Sequence, residues 1–253
     1  MYLIIDLGNT NKKMAVLPAG KLLPKAFAAM QNQVVSSPEI SRKSIKEFTR
    51  NRPAVEACIL SSVVPFPASL SAWLGKQFRY LELSEDTPLP ILNLYRSPAT
   101  LGNDRLAAAV AGACIYPHKP VLVVSAGTAL TYDLVTAGGE YVGGSIAPGM
   151  GMRFRALHTF TKQIPLVSYS ETNFLAGNDT RRSVRSGVIN GMAAEMEGMI
   201  ARYRKENPGL RVILSGGDMN YFVNRLKISI FAVPNIVIYG LQQILAFNDK
   251  KPL

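Results

Sequence analysis

The chain has 253 residues, 48% of them hydrophobic and 18% charged, which excludes a disordered protein and allows one large domain or two of ordinary size. Apolar runs such as 121–124 and 228–233 fall far short of the roughly 20 residues that a membrane-spanning helix needs, so no membrane partner is expected. The formal charge of +11 favours anionic partners without choosing between nucleotide phosphates, nucleic acid and a membrane surface.

In chain order, residues 2–5 read as a first strand. No basic segment precedes it and Asp6 interrupts the apolar run, so a secretory signal is not expected and the cytoplasm is the expected compartment. The turn Asp6, Leu7, Gly8, Asn9, Thr10, Asn11, Lys12, Lys13 leads into a second strand over 13–17, which ends at Ala19 and Gly20. Cys58 and Cys114 form no C-x-x-C pair, lie in apolar surroundings, and read as core thiols. The Pro-rich segment 87–98 breaks helical periodicity and reads as the connection between two halves. Residues 104–116 read as an Ala-rich helix, and the spacing of His118 and His158 matches no zinc site.

The pattern then repeats. Residues 121–124 form a strand ending in Ser125, Ala126, Gly127, Thr128 and Ala129, and a further strand over 131–135 ends in Ala137, Gly138 and Gly139. Laid over the first hairpin without gaps, Asp6 pairs with Ser125, Gly8 with Gly127, Asn9 with Thr128 and Thr10 with Ala129. A helix over 186–204 carries Met192, Met196, Met199 and Tyr203 at helical spacing and reads as core, with Arg181, Arg182 and Arg185 on a solvated face. A last strand over 211–214 ends in Ser215, Gly216, Gly217 and Asp218. The expected organisation is two α/β halves, 1–115 and 116–253, each with a mixed sheet flanked by helices and a cleft between them lined by the turns.

These turns suit phosphate. Gly8 permits close approach of backbone amides to an anion, Asn9 and Thr10 supply hydrogen bonds, Lys13 supplies charge, and Asp6 can hold magnesium through water. By itself the octet is equally a tight turn with Asn and Gly in left-handed conformations. Asp104 ahead of an Ala-rich stretch is what a helix N-cap looks like, a role compatible with one toward a ligand. No G-x-x-x-x-G-K-[ST] occurs, and G-x-G-x-x-G fails because Phe154 stands where the last glycine belongs, so neither a P-loop ATPase nor a Rossmann dehydrogenase is expected.

Taken together, Asp6–Lys13, Ser125–Ala129 and Ser215–Asp218 resemble the phosphate-1, phosphate-2 and adenosine motifs of the actin-like ATPase superfamily, which includes the acetate and sugar kinases. The segment from Tyr95 through Gly102, Asn103, Asp104 and Arg105 narrows the resemblance to the type III pantothenate kinases, as do Gly143–Gly149 and Gly177, Asn178, Asp179, Thr180 with Ser186 and Gly187. That resemblance implies two ribonuclease H-like halves and an ATP-dependent phosphorylation of pantothenate to 4′-phosphopantothenate, the first step of coenzyme A biosynthesis. It implies that Asp6 to Lys13 and Thr128 bind ATP, that Asp104 is the catalytic base, and that Tyr95, Gly102, Asn103, Asp104, Arg105 and Thr180 contact pantothenate. Arg105 would hold the substrate carboxylate. Magnesium is the implied metal, with a homodimer as the implied assembly.

One position departs from the family pattern. Ser125 stands where the family has an aspartate for a monovalent cation, potassium or ammonium, and a neutral hydroxyl is the weaker ligand, so little cation dependence is expected. Two other readings are weighed against this one. A sugar or polyol kinase of the same superfamily would not need the Tyr95 and Gly102–Arg105 constellation. A regulatory protein resembling the Bvg accessory factors would direct the positive charge to nucleic acid. Intact Asp6, Lys13 and Asp104 favour the enzyme, and the scattered basic residues predict no specific nucleic-acid partner.

Overall fold

The computed structural model describes residues 1–249. Its described residues form two compact units. The first unit comprises 1–119, 133–143 and the described residues from Asn235 onward, and the second comprises 120–132 and 144–234.

In the first unit, β1 (Tyr2–Leu7), β2 (Lys12–Leu17), β3 (Val34–Ser37), β4 (Ala57–Ser62) and β5 (Arg79–Glu82) form a mixed sheet in the order β3-β2-β1-β4-β5. β1 is central, antiparallel to β2 and parallel to β4, and all six of its residues are buried. Burial on both faces is why it reads as a continuous apolar run rather than an alternating one. Period-2 alternation sends Leu3, Ile5 and Leu7 into a core with Met14, Val16, Cys58 and Leu60. Ile45 of α2 (Arg42–Thr49) and Leu70 and Leu74 of α3 (Ala68–Gln77) close that core. The short helix α1 (Pro24–Ala29) buries Phe27 against Tyr239.

The opposite face of β1 meets α8 (Ile236–Asn248), which also packs against α4 (Asn103–Ile115). α8 is apolar nearly all round and was not recognised in the sequence, where its lack of a polar face leaves no amphipathic period. Its two buried glutamines are satisfied: Gln242 Nε2 donates to Gly20 O at 2.6 Å and Gln243 Nε2 to Leu22 O at 2.7 Å. The helices meet where Gly240 faces Ala107, so closely that a Cβ at Gly240 would lie 1.8 Å from the Ala107 carbonyl oxygen. The small side chains of the Ala-rich α4 permit this approach. Cys114, read as core, is only partly buried, whereas Cys58 is fully buried.

The Pro-rich segment runs from β5, at the edge of the five-stranded sheet, to an edge strand of a six-stranded sheet. It lies in the first unit and contains β6 (Leu92–Asn93), paired in parallel with the start of β9 (Glu140–Pro148). In the second unit, β7 (Val121–Ala126) pairs in parallel with β10 (Arg211–Ser215), which pairs with β11 (Phe231–Ala232). On its other side β7 neighbours β8 (Ala129–Val135). Three helices complete the unit: α5 (Met150–Thr159), α6 (Thr180–Glu206) and the short α7 (Met219–Phe222). α6 begins earlier than expected because Asp179 caps it, accepting a hydrogen bond from the Arg182 N–H at 2.8 Å. Its buried seam holds Met192 and Met196, with Ile200 rather than Met199 as the next fully buried residue.

Candidate active site

The first unit carries most of the residues that the sequence singled out. β1 and β2 turn through Gly8 to Asn11, and a side chain at Gly8 would lie 2.7 Å from the Asn11 carbonyl oxygen, so the turn closes only with glycine there. Asn9, Thr10 and Asn11 are exposed. At the end of β1, Asp6 is 7% exposed and its Oδ1 has no protein partner. Its ladder partners are Lys13 on β2 and Ser61 on β4, and the buried Ser61 Oγ also lacks a partner. Burial, reinforced by Asp104 and opposed by Lys13, pushes the Asp6 carboxyl up to about 7. Burial pulls the Lys13 ammonium down, against the pull of Asp6. Lys13 Nζ donates to Asn235 Oδ1 at 2.9 Å, and Lys12 Nζ to Pro38 O at 3.0 Å.

Asp104 lies in the first turn of α4, but it is not the cap. The N-cap is Gly102, whose lack of a side chain leaves room for Asp104 Oδ1, which would sit 2.6 Å from a Cβ there. That oxygen accepts the Arg105 backbone N–H at 2.9 Å. Asn103 anchors the turn by donating from Nδ2 to the carbonyl oxygen of Leu83 at 3.0 Å. Asp104 therefore sits, half-buried, on a helix start that other residues hold in place.

Arg105 does not point freely at solvent. Its Nε donates to Asp133 Oδ1 at 2.9 Å, with Nη2 of the same guanidinium 2.7 Å from that oxygen. Tyr141 donates its hydroxyl to Asp133 Oδ1 at 2.8 Å. The Tyr95 ring lies 5.8 Å from the Arg105 guanidinium carbon and stacks on Tyr141 with centroids 6.0 Å apart. Gly143, at φ +109°, sits against Tyr95, where a Cβ would approach the ring to 3.3 Å. Sequence reading missed Ser61, Asp133, Tyr141 and Asn235. The signal for Asp133 was present, since it is, like Asp6, a carboxylate inside an apolar strand.

The second unit gathers the remaining turns. A side chain at Gly149 would lie 2.0 Å from the Gly127 carbonyl oxygen, and one at Gly216, where φ is +99°, 2.1 Å from that of Ala126. The Asp218 N–H donates to Ala126 O at 2.9 Å, so the Ser125–Thr128 and Ser215–Asp218 turns are built as one piece. Ser125 is the ladder partner of Ser215, whose hydroxyl donates to Val233 O at 2.6 Å. Thr128 is exposed, and burial pushes the Asp218 carboxyl up. Thr180, at the first position of α6, lines an open cavity of about 630 Å³ with Gly177, Asn178, Leu157 and Ile164. That cavity contains none of the Ser125–Thr128 turn.

Among the described residues no group of three or more His, Cys, Asp and Glu could by itself hold a metal, and no helix is long and apolar enough to cross a membrane.

The family model for type III pantothenate kinase matches residues 2–202. A type III pantothenate kinase of Phocaeicola vulgatus is 41% identical over 251 residues, covering 99% of this chain and 100% of that protein. One of Christiangramia forsetii is 40% identical over 251 residues with the same coverage. Among solved structures, a Campylobacter jejuni protein assigned to the Baf family of transcriptional activators superposes with a TM-score of 0.58 at 18% identity, over 98% of this chain and 99% of that one. A Sinorhizobium meliloti protein assigned as a 2-dehydro-3-deoxygalactonokinase does so with 0.54 at 14% identity, over the whole of both chains. At such identities these two bear on the fold alone, and the fold is the one the resemblance implied, with two mixed sheets flanked by helices. The match over nearly the full length of its relatives places the chain in the type III pantothenate kinase family.

Proposed function

We propose that this chain transfers the γ-phosphoryl group of ATP to the hydroxyl of pantothenate, giving 4′-phosphopantothenate, the first step of coenzyme A biosynthesis. The observation that carries this is the presence, in one unit, of an exposed phosphate-sized turn at the end of β1 and a carboxylate at the start of α4 close enough to shift Asp6. Phosphoryl transfer to an alcohol requires an oriented hydroxyl, a group to take its proton, and positive charge on the phosphates. Asp104 takes the proton. Residues Asp6 to Lys13 hold the ATP phosphates, with Lys13 as the point charge, and Thr128 contacts ATP from its own turn. Tyr95, Gly102, Asn103, Arg105 and Thr180 contact pantothenate, with Arg105 on its carboxylate.

Magnesium neutralises phosphate charge in such reactions. The residues fit it: Asp6 and Ser61 are ladder partners whose buried Oδ1 and Oγ each lack a protein partner, the setting in which a hydrated ion completes its shell. Magnesium keeps several waters and takes few protein ligands, which agrees with one carboxylate rather than a cage. At Ser125 the neutral hydroxyl makes a poor site for potassium or ammonium. The enzyme works as a cytoplasmic homodimer, and its scattered basic residues serve anionic substrates rather than a specific nucleic acid. Release of ADP with magnesium-ATP and pantothenate, compared with a panel of sugars, tests the reading. Turnover of a sugar and none of pantothenate would refute it.

A further inference from the structure

We infer that Asp133 is the positioning residue of the pantothenate site, fixing the Arg105 guanidinium so that one edge of it is kept for the substrate carboxylate. The inference rests on the reading that Arg105 receives that carboxylate. Asp133 is fully buried and the Arg105 side chain nearly so. A buried ion pair stabilises little, because desolvation offsets much of its attraction, so its use lies in the geometry it imposes. That geometry is specific. Nε donates to Asp133 Oδ1 at 2.9 Å, and the buried Nη2, which makes no hydrogen bond, lies 2.7 Å from the same oxygen as an ion pair. The Nε side of the guanidinium is thus committed to Asp133, and Nη1, on the opposite side, is the nitrogen left to meet a second carboxylate.

Asp133 is itself held. The Tyr141 hydroxyl donates to the same oxygen at 2.8 Å, and burial together with the Asp133 charge pushes that hydroxyl's pKa up, so it stays a donor. The Tyr141 ring stacks on Tyr95, and Tyr95 faces the guanidinium. The charge balance has a second consequence. With Asp133 neutralising Arg105, the site recognises a carboxylate through directed N–H groups more than through net positive potential. Asp133 acts on pantothenate through Arg105.

The test is a double-mutant cycle with Asp133→Asn, Arg105→Gln and the two combined, assayed with pantothenate and with its analogue bearing an alcohol in place of the carboxylate. Asp133→Asn is expected to raise the KM for pantothenate by about 10- to 100-fold, the range spanned by a hydrogen bond to a charged group. The KM for ATP and for the alcohol analogue should stay within about twofold. The double variant should be no worse than Arg105→Gln, whereas a merely structural role would add to it. Tyr141→Phe, which keeps the ring, should give a smaller rise in the same KM, and it carries the test if Asp133→Asn fails to fold. An unchanged pantothenate KM in folded Asp133→Asn or in Tyr141→Phe, or additive penalties in the double variant, would overturn the inference. An unchanged pantothenate KM in Arg105→Gln would instead overturn the reading that Arg105 binds the carboxylate.

Discussion

Asp6 and Lys13 are ladder partners across β1 and β2, yet the Lys13 ammonium is spent on Asn235 Oδ1 at 2.9 Å, and Asp6 Oδ1 is left buried without a partner. A carboxylate in this position is poorly solvated, which is why its affinity for a proton rises to about 7. The folded chain, without nucleotide or magnesium, then binds the Asp6 proton more tightly than the unfolded chain does. The stability from that proton is fully present below about 3.8 and is lost as pH rises through about 7. The melting midpoint of the wild type should therefore fall over that interval relative to Asp6→Asn. Parallel profiles for the two proteins would show that Asp6 does not titrate there.

Asp104→Asn should slow turnover by about 100- to 10,000-fold, the usual contribution of a general base. Gly102 caps α4 and Asn103 anchors its first turn, so the loss of stability should not exceed about 1 kcal/mol, the scale of a charge at a helix start. Nucleotide binding should be retained. Near-normal turnover in the purified variant would remove Asp104 from the mechanism.

Lys13→Ala should raise the KM for ATP or lower kcat and affect pantothenate less, because in the proposed reaction the lost charge serves the ATP phosphates. Asn235→Ala, which removes the Lys13 partner, should act in the same direction and by less. Equal losses toward both substrates would point to misfolding, which circular dichroism would reveal.

Ser125 leads to the expectation of little activation by potassium or ammonium with magnesium still required, since a hydroxyl dipole replaces a full negative charge. Initial rates with saturating magnesium-ATP and pantothenate, in a buffer free of alkali cations and then with potassium, decide it. Ser125→Asp should gain a stimulation that the wild type lacks. A large, saturable stimulation of the wild type would contradict the argument.

Gly240→Ala should destabilise the fold by about 1 to 3 kcal/mol or more, the usual cost of overpacking, because the new methyl group would meet the Ala107 carbonyl oxygen at 1.8 Å. The helices α4 and α8 would have to separate. An unchanged melting midpoint would mean that they can do so freely.

The sequence by itself determined the local pieces: strands at 2–5, 13–17, 121–124 and 211–214, each followed by a small polar turn, and a helix starting beside Asp104. Such features are legible because apolar periodicity and turn chemistry act over a few residues. Family membership was legible for the same reason, since its motifs are short and occur in order. Only the tertiary structure decided what each side chain meets. It gave Arg105 to Asp133, far along the chain, and passed the helix cap from Asp104 to Gly102. It also set the unamphipathic α8 against α4 through Gly240. Those outcomes depend on which buried groups find partners and which backbones approach closely, and both are properties of long-range packing that no local pattern encodes.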